Sequence, residues 1–134
     1  MTSISKEPRW LSRAIVNVIH ARQLDEHGGF PGINDEALID SALARPQNKW
    51  SYAEEPPRLP ELAAAYGFGL AKNHGFRDGN KRTAFMAMYT FLGLNGLRLV
   101  AEEPEVVQLM EDVASGVCSE EMLAAWLDEH VRPR

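Results

Sequence analysis

Apolar residues recur at helical spacing along most of the chain. Leu11, Ala14, Ile15, Val18 and Ile19 form the first stripe, with Ser12 as N-cap and Gly28-Gly29 stopping the helix near Glu26. Asn34 or Asp35 caps a second helix, which runs to about Ala44 and is ended by Pro46. Residues 46–60 carry Pro46, Pro56, Pro57 and Pro60 with Trp50 and Tyr52, and read as a long surface connection. A third helix follows from about Pro60 to Asn73, in which Gly67 and Gly69 predict close approach of a neighbouring helix. The next stretch, Thr83 to Leu94, is apolar on nearly every face, with Thr90 the one polar interruption. It predicts a buried central helix, short of the ~20 apolar residues a membrane span needs. Asn95-Gly96 ends it, and Leu97–Val100 reads as a short extended piece. Pro104 opens a fifth helix that Gly116 stops. Ser119 opens a last one, with Met122, Leu123, Trp126, Leu127 and His130 on one face, before a tail of Arg132-Pro133-Arg134. Strand patterning is almost absent. The expectation is an all-α fold: one domain over 1–134, a compact bundle of about six helices around a buried central helix, with residues 1–9 a flexible N-terminal arm.

The polar stretch entering the apolar helix changes the picture. It reads His74-Gly75-Phe76-Arg77-Asp78-Gly79-Asn80-Lys81-Arg82. A helix N-terminus presents unpaired backbone N–H groups and a partial positive charge, and so attracts anions. Gly79 lets the backbone approach a ligand closely, and Asn80, Lys81 and Arg82 are placed to bind phosphates. Cations in a first turn oppose the helix dipole, and a bound anion would offset that cost. Asp78 suits a hard cation such as Mg²⁺, and serves equally as an N-cap. His74 is the candidate general base. Phe76 reads as the core anchor of the loop. His20, Gly28 and Gly29 either border the site or are a core histidine and an ordinary turn, and the residues alone do not choose.

Charge and cysteine narrow the class. The formal net charge is −5, which argues against a general nucleic-acid binder, so no direct DNA binding is expected. Cys118 is the one cysteine, which excludes an internal disulfide and a multi-cysteine zinc site. No apolar stretch follows the polar segment Met1–Arg9, so neither a secretory signal nor membrane attachment is expected, and a cytoplasmic location fits.

The pattern His-x-Phe-x-Asp-x-Asn-Lys-Arg at 74–82 resembles the signature of the Doc (death-on-curing) toxins, a branch of the Fic superfamily. His20, Gly28-Gly29, Pro31-Gly32, the 42–46 segment and Asn95-Gly96 extend the resemblance from about Trp10 to Leu127. The wider Fic signature reads His-Pro-Phe-x-(Asp/Glu)-Gly-Asn-Gly-Arg-x-x-Arg. Here Gly75 replaces its proline, Lys81 its second glycine and Phe85 its last arginine. In AMP-transferring relatives that glycine makes room for the nucleotide phosphates and that arginine grips them.

The resemblance therefore implies the Doc activity: ATP and Mg²⁺ as co-substrate and cofactor, and transfer of the γ-phosphate to a Ser or Thr hydroxyl of a translation factor, elongation factor Tu above all. The alternatives are a Fic-type transferase moving AMP to a protein hydroxyl, and a non-catalytic helical binding module. An internal inhibitory segment of the Fic type, (Ser/Thr)-x-x-x-Glu-(Gly/Asn), is not visible. Ser3 to Glu7 and Ser51 to Glu55 have the spacing, but Pro8 and Pro56 follow. The resemblance thus implies restraint by a separate Phd-like antitoxin whose tail folds on binding.

Overall fold

The computed structural model describes residues 6–134. Six helices follow in order: α1 (Arg13–His27), α2 (Glu36–Tyr52), α3 (Leu59–Asn73), α4 (Asn80–Leu94), α5 (Glu103–Ser115) and α6 (Glu120–His130). Two short strands, β1 (Leu97–Leu99) and β2 (Val131–Pro133), complete the chain. Capping follows the sequence. The side chains of Ser12, Asp35 and Ser119 accept from the backbone N–H groups of Ile15, Ala37 and Met122.

The helix at the centre is α3. It packs against α2, α4, α5 and α6, and buries residues from Pro60 to Ala71 on all sides. Its small residues explain why. Ala63, Ala64 and Ala65 are fully enclosed, and a Cβ on Gly67 would collide with the Met88 side chain of α4. A Cβ on Gly69 would lie 3.1 Å from that of Ala42 on α2. Helices can approach a thin cylinder from every direction. By contrast α4 has one buried face, formed by Thr83, Ala84, Ala87, Met88, Phe91 and Leu92, and leaves Tyr89 and Leu94 exposed. It flanks the centre, with α1 on its other side.

Pro46 does not end α2. The helix continues through it to Tyr52, so the connection to α3 shrinks to residues 53–58. Pro46 removes one backbone donor, but it is buried together with Ala42 and Leu43 on the face that packs against α3. Tertiary burial outweighs the lost hydrogen bond. The C-terminal tail is likewise ordered. β2 pairs antiparallel with β1, Arg98 opposite Arg132, and Arg134 donates to the carbonyls of Gly96 (3.0 Å) and Gly93 (2.7 Å) at the end of α4. Of the N-terminal arm, residues 1–5 lie outside the described residues. Arg9 is tied to Asn95 by two hydrogen bonds, and Trp10 stacks on Phe91. No helix among the described residues is long and apolar enough to cross a membrane.

Candidate active site

The 74–82 stretch is a folded bridge between α3 and α4. His74 ends α3 in the left-handed region (φ 51°), alone among the described non-glycine residues. Gly75 comes next, packed where a Cβ would collide with the Ile39 side chain. Its carbonyl accepts from the backbone N–H groups of Asn34 (2.8 Å) and Asp35 (3.1 Å). Phe76 turns inward, forms a β-bridge with Ile33 and stacks on His20 at 3.8 Å between ring centroids. The turn then closes on itself. Asn80 Oδ1 accepts from the Phe76 N–H (3.1 Å), and Asn80 Nδ2 donates to the Phe76 carbonyl (2.8 Å). Gly79, at φ 76°, is the N-cap of α4. The first helical bond runs from the Thr83 N–H to the Gly79 carbonyl, so the N–H groups of Asn80, Lys81 and Arg82 have no partner among the described residues.

The loop at 28–33 lies alongside this bridge and shapes Asp78. The Arg77 N–H donates to the Gly32 carbonyl, and the Arg77 guanidinium sits over the Phe30 ring at 4.7 Å. Asp78 Oδ2 accepts from the Phe30 N–H (3.1 Å) and Oδ1 from the Gly79 N–H (2.9 Å). These two bonds, with the charges of Arg82 and Arg77, hold the Asp78 carboxyl below the ordinary carboxylate range. Gly29 makes the approach possible. It adopts φ 126°, and a Cβ there would lie 2.9 Å from both Asp78 Oδ2 and Leu24 Cδ2. His20, on α1, is within 2.8 Å of the Asp78 carbonyl through Nε2, which therefore carries the proton and donates. Arg82 donates to the Gly28 carbonyl (3.3 Å), and Lys81 Nζ meets Glu111 Oε1 on α5 at 2.5 Å.

Comparison with known proteins agrees with this architecture. Residues 10–92 match the Fic/DOC family. The chain is 42% identical over 102 residues to the toxin Doc of Mycolicibacterium smegmatis, covering 75% of this chain and 78% of the relative. It is 33% identical over 111 residues to the protein kinase doc of Escherichia phage P1, covering 83% and 86%. The chain belongs to the Doc toxin family of the Fic/Doc superfamily. Membership makes it a Doc-type toxin, an enzyme of the phosphoryl- or nucleotidyl-transferring kind.

The Doc-type departures from the wider Fic signature have local physical reasons. Gly75 stands where Ile39 leaves no room for a side chain, and Phe85 is half-buried against the core. Lys81 reaches across to α5. Of the candidate residues, Phe76 is the buried anchor, and His20, Gly28 and Gly29 all touch the motif bridge. The side chain of Asn80 is committed to the Phe76 backbone, which leaves only its backbone N–H to meet a ligand. The His74 side chain is exposed, with its backbone carbonyl accepting from Asn34. Sequence reasoning missed Asn34, whose Nδ2 also donates to the Phe76 carbonyl (3.1 Å), and the Glu111 partner of Lys81. Asn34 carried a signal only as a candidate cap, and Glu111 none, since nothing local links α5 to the motif.

No cluster of three or more metal-ligating side chains occurs among the described residues, and a cation bound at the motif would have Asp78 as its carboxylate ligand. That suits Mg²⁺, which binds through one or two carboxylates and takes its other ligands from phosphates and water. Asp78 is ionised at neutral pH and partly accessible, and each oxygen accepts only one backbone bond. The residues fit the ion.

Proposed function

We propose that this chain is the toxin of a toxin–antitoxin pair and transfers the γ-phosphate of ATP to a Ser or Thr hydroxyl of a translation factor, with elongation factor Tu the expected target. One observation carries the reading. Three unpaired N–H groups open α4 on the same turn as Lys81 and Arg82, directly after an ionised Asp78. Phosphoryl transfer needs such fixed donors and charges around the transferring group more than it needs covalent help.

In this reading His74 takes the proton of the acceptor hydroxyl as its oxygen bonds to the γ-phosphorus. The bond from that phosphorus to the β,γ-bridging oxygen breaks, and ADP leaves. The N–H groups of Asn80, Lys81 and Arg82 and the two cationic side chains hold the phosphates in place. Asp78 would hold Mg²⁺, which when bound would supply charge neutralisation for the phosphates. Two findings favour phosphate over AMP as the cargo. Lys81 stands where AMP-transferring relatives have a glycine, and the phage P1 relative is described as a protein kinase. A Phd-like antitoxin is the proposed partner.

The test is intact-mass analysis of elongation factor Tu after incubation with this protein, Mg²⁺ and ATP, with His74→Ala as control. The expected result is a gain of about 80 Da that the variant abolishes, following from the group transferred. A gain of about 329 Da would replace this reading with nucleotidyl transfer. No gain on elongation factor Tu, with a labelled protein appearing in a lysate given γ-labelled ATP, would keep the chemistry and change the target.

A further inference from the structure

Among the motif's cations, Lys81 alone is held by a carboxylate. Arg82 donates to a carbonyl and Arg77 lies over an aromatic ring, whereas Lys81 Nζ meets Glu111 Oε1. Glu111 sits in the third turn of α5, and its side chain has no other hydrogen-bond partner among the described residues. The neighbouring Asp112 is engaged separately, accepting from Gln108 at 3.0 Å. Neither member of the Lys81–Glu111 pair is buried, their side chains being 44% and 54% exposed. A solvated pair of this kind is weak and exchanges readily with a competing anion. The competing anion's seat is adjacent, because the unpaired N–H groups of Asn80, Lys81 and Arg82 lie on the turn that carries the lysine.

We propose that Glu111 sets the affinity for nucleotide by competing with its phosphates for Lys81. The inference rests on the phosphoryl-transfer reading above. While paired, lysine and glutamate together carry no net charge, and the phosphate gains the full lysine only by displacing the carboxylate. Binding therefore hands Lys81 from α5 to the nucleotide and releases a side-chain tie between α4 and α5. Glu111 touches neither nucleotide nor reacting atoms in this account. It acts through Lys81, as a positioning residue.

The experiment is calorimetric titration of the full chain with ATP in the presence of Mg²⁺, on wild type, Glu111→Gln, Lys81→Met and the double variant. Thermal melts confirm that each protein is folded. Glu111→Gln is expected to lower Kd about three-fold, the scale of an exposed ion pair, and Lys81→Met to raise it. In the Lys81→Met background, Glu111→Gln is expected to change Kd by less than about 1.5-fold, because the lysine competed for is gone. An unchanged or higher Kd for Glu111→Gln overturns the inference. So does an equal gain in the Lys81→Met background, which would mark a general field effect of the carboxylate. Absence of nucleotide binding by the wild type overturns the phosphoryl-transfer reading as well, whereas wild-type binding with an unaltered Glu111→Gln overturns the inference alone.

Discussion

Asn80→Ala separates two roles that one residue could play in this motif. If its side chain grips a phosphate, removal should weaken nucleotide binding and leave the fold intact. The structure argues for the other outcome. Both polar atoms of the side chain are bonded to the backbone of Phe76, and the residue is 9% exposed. Alanine would leave the Phe76 N–H without a partner in a buried turn. The Phe76 carbonyl would keep its bond from Asn34 Nδ2, so only one backbone group is orphaned. An orphaned buried donor costs about 1–3 kcal/mol, and about 2 kcal/mol is the expected loss. For a chain of 134 residues this corresponds to a fall in Tm of about 7 °C. Differential scanning calorimetry on wild type and variant, without nucleotide, reads this directly. Asn80→Asp is the companion. It keeps an acceptor for the Phe76 N–H but sets a carboxylate oxygen against the Phe76 carbonyl, so it should be destabilised too. An unchanged Tm in Asn80→Ala, combined with lost nucleotide affinity, would refute the reasoning and return Asn80 to the phosphate-binding set.

Gly29→Ala should be destabilising by more than about 1 kcal/mol, since its φ of 126° disfavours a side chain and its Cβ would press on Asp78 and Leu24. Mg²⁺-dependent nucleotide binding should weaken with it, and a variant with wild-type stability and binding would show that the 28–33 loop does not position Asp78. Tyr66→Phe should cost about 2 kcal/mol in a denaturant titration, because the Tyr66 hydroxyl, pushed up to about 12 by burial, accepts from the buried Leu11 N–H (2.9 Å) and Leu11 would lose that partner. An unchanged midpoint would mean that water replaces the hydroxyl. Asp78 gives a pH signature. Its carboxyl is held below the ordinary 3.8, so the stability its ionised form contributes is complete above that value and is lost as pH falls through the lower folded one. The stability difference between wild type and Asp78→Asn should therefore be flat above about pH 4 and change only below it, and a change centred nearer neutrality would contradict the bonds from Phe30 and Gly79.

The helices and their caps were legible because the signals are local. Ser12, Asp35 and Ser119 cap as their residue types predict. What was misjudged depends on neighbours. Hydrophobicity pointed to α4 as the centre, yet α3 holds that place because alanine and glycine let four helices close on it. Pro46 is a strong local stop, overridden by the face it buries. β1 falls within the short extended piece expected at Leu97–Val100, whereas β2 lies in the expected tail, its three residues too few for an alternating pattern to emerge. At the site, the motif marked out the stretch that folds into the bridge between α3 and α4, and the resemblance announced the family. The assignment of Asn80 to the turn, the clasp by Asn34 and the partnership of Lys81 with Glu111 all depend on contacts across the fold.

The motif divides by direction, and the division explains why it needs so many specific residues. Gly75, Phe76, Asn80 and Thr83 are buried and fix the turn between α3 and α4. His74, Arg77 and Arg82 are exposed, and Asp78 and Lys81 are partly so. The outward set alone would be a flexible basic loop, unable to hold charges at fixed positions around a phosphate. The inward set removes that freedom: Phe76 is locked between His20 and Ile33, and Asn80 closes the turn over four residues. His20 links the two sets. It stacks on the anchor Phe76 and donates to the backbone carbonyl of Asp78, so one α1 side chain sets the depth of the loop and the height of the carboxylate. Electrostatic stabilisation of a transferring phosphoryl group depends on donors that need not reorganise. The buried half of the motif supplies that rigidity to its exposed half.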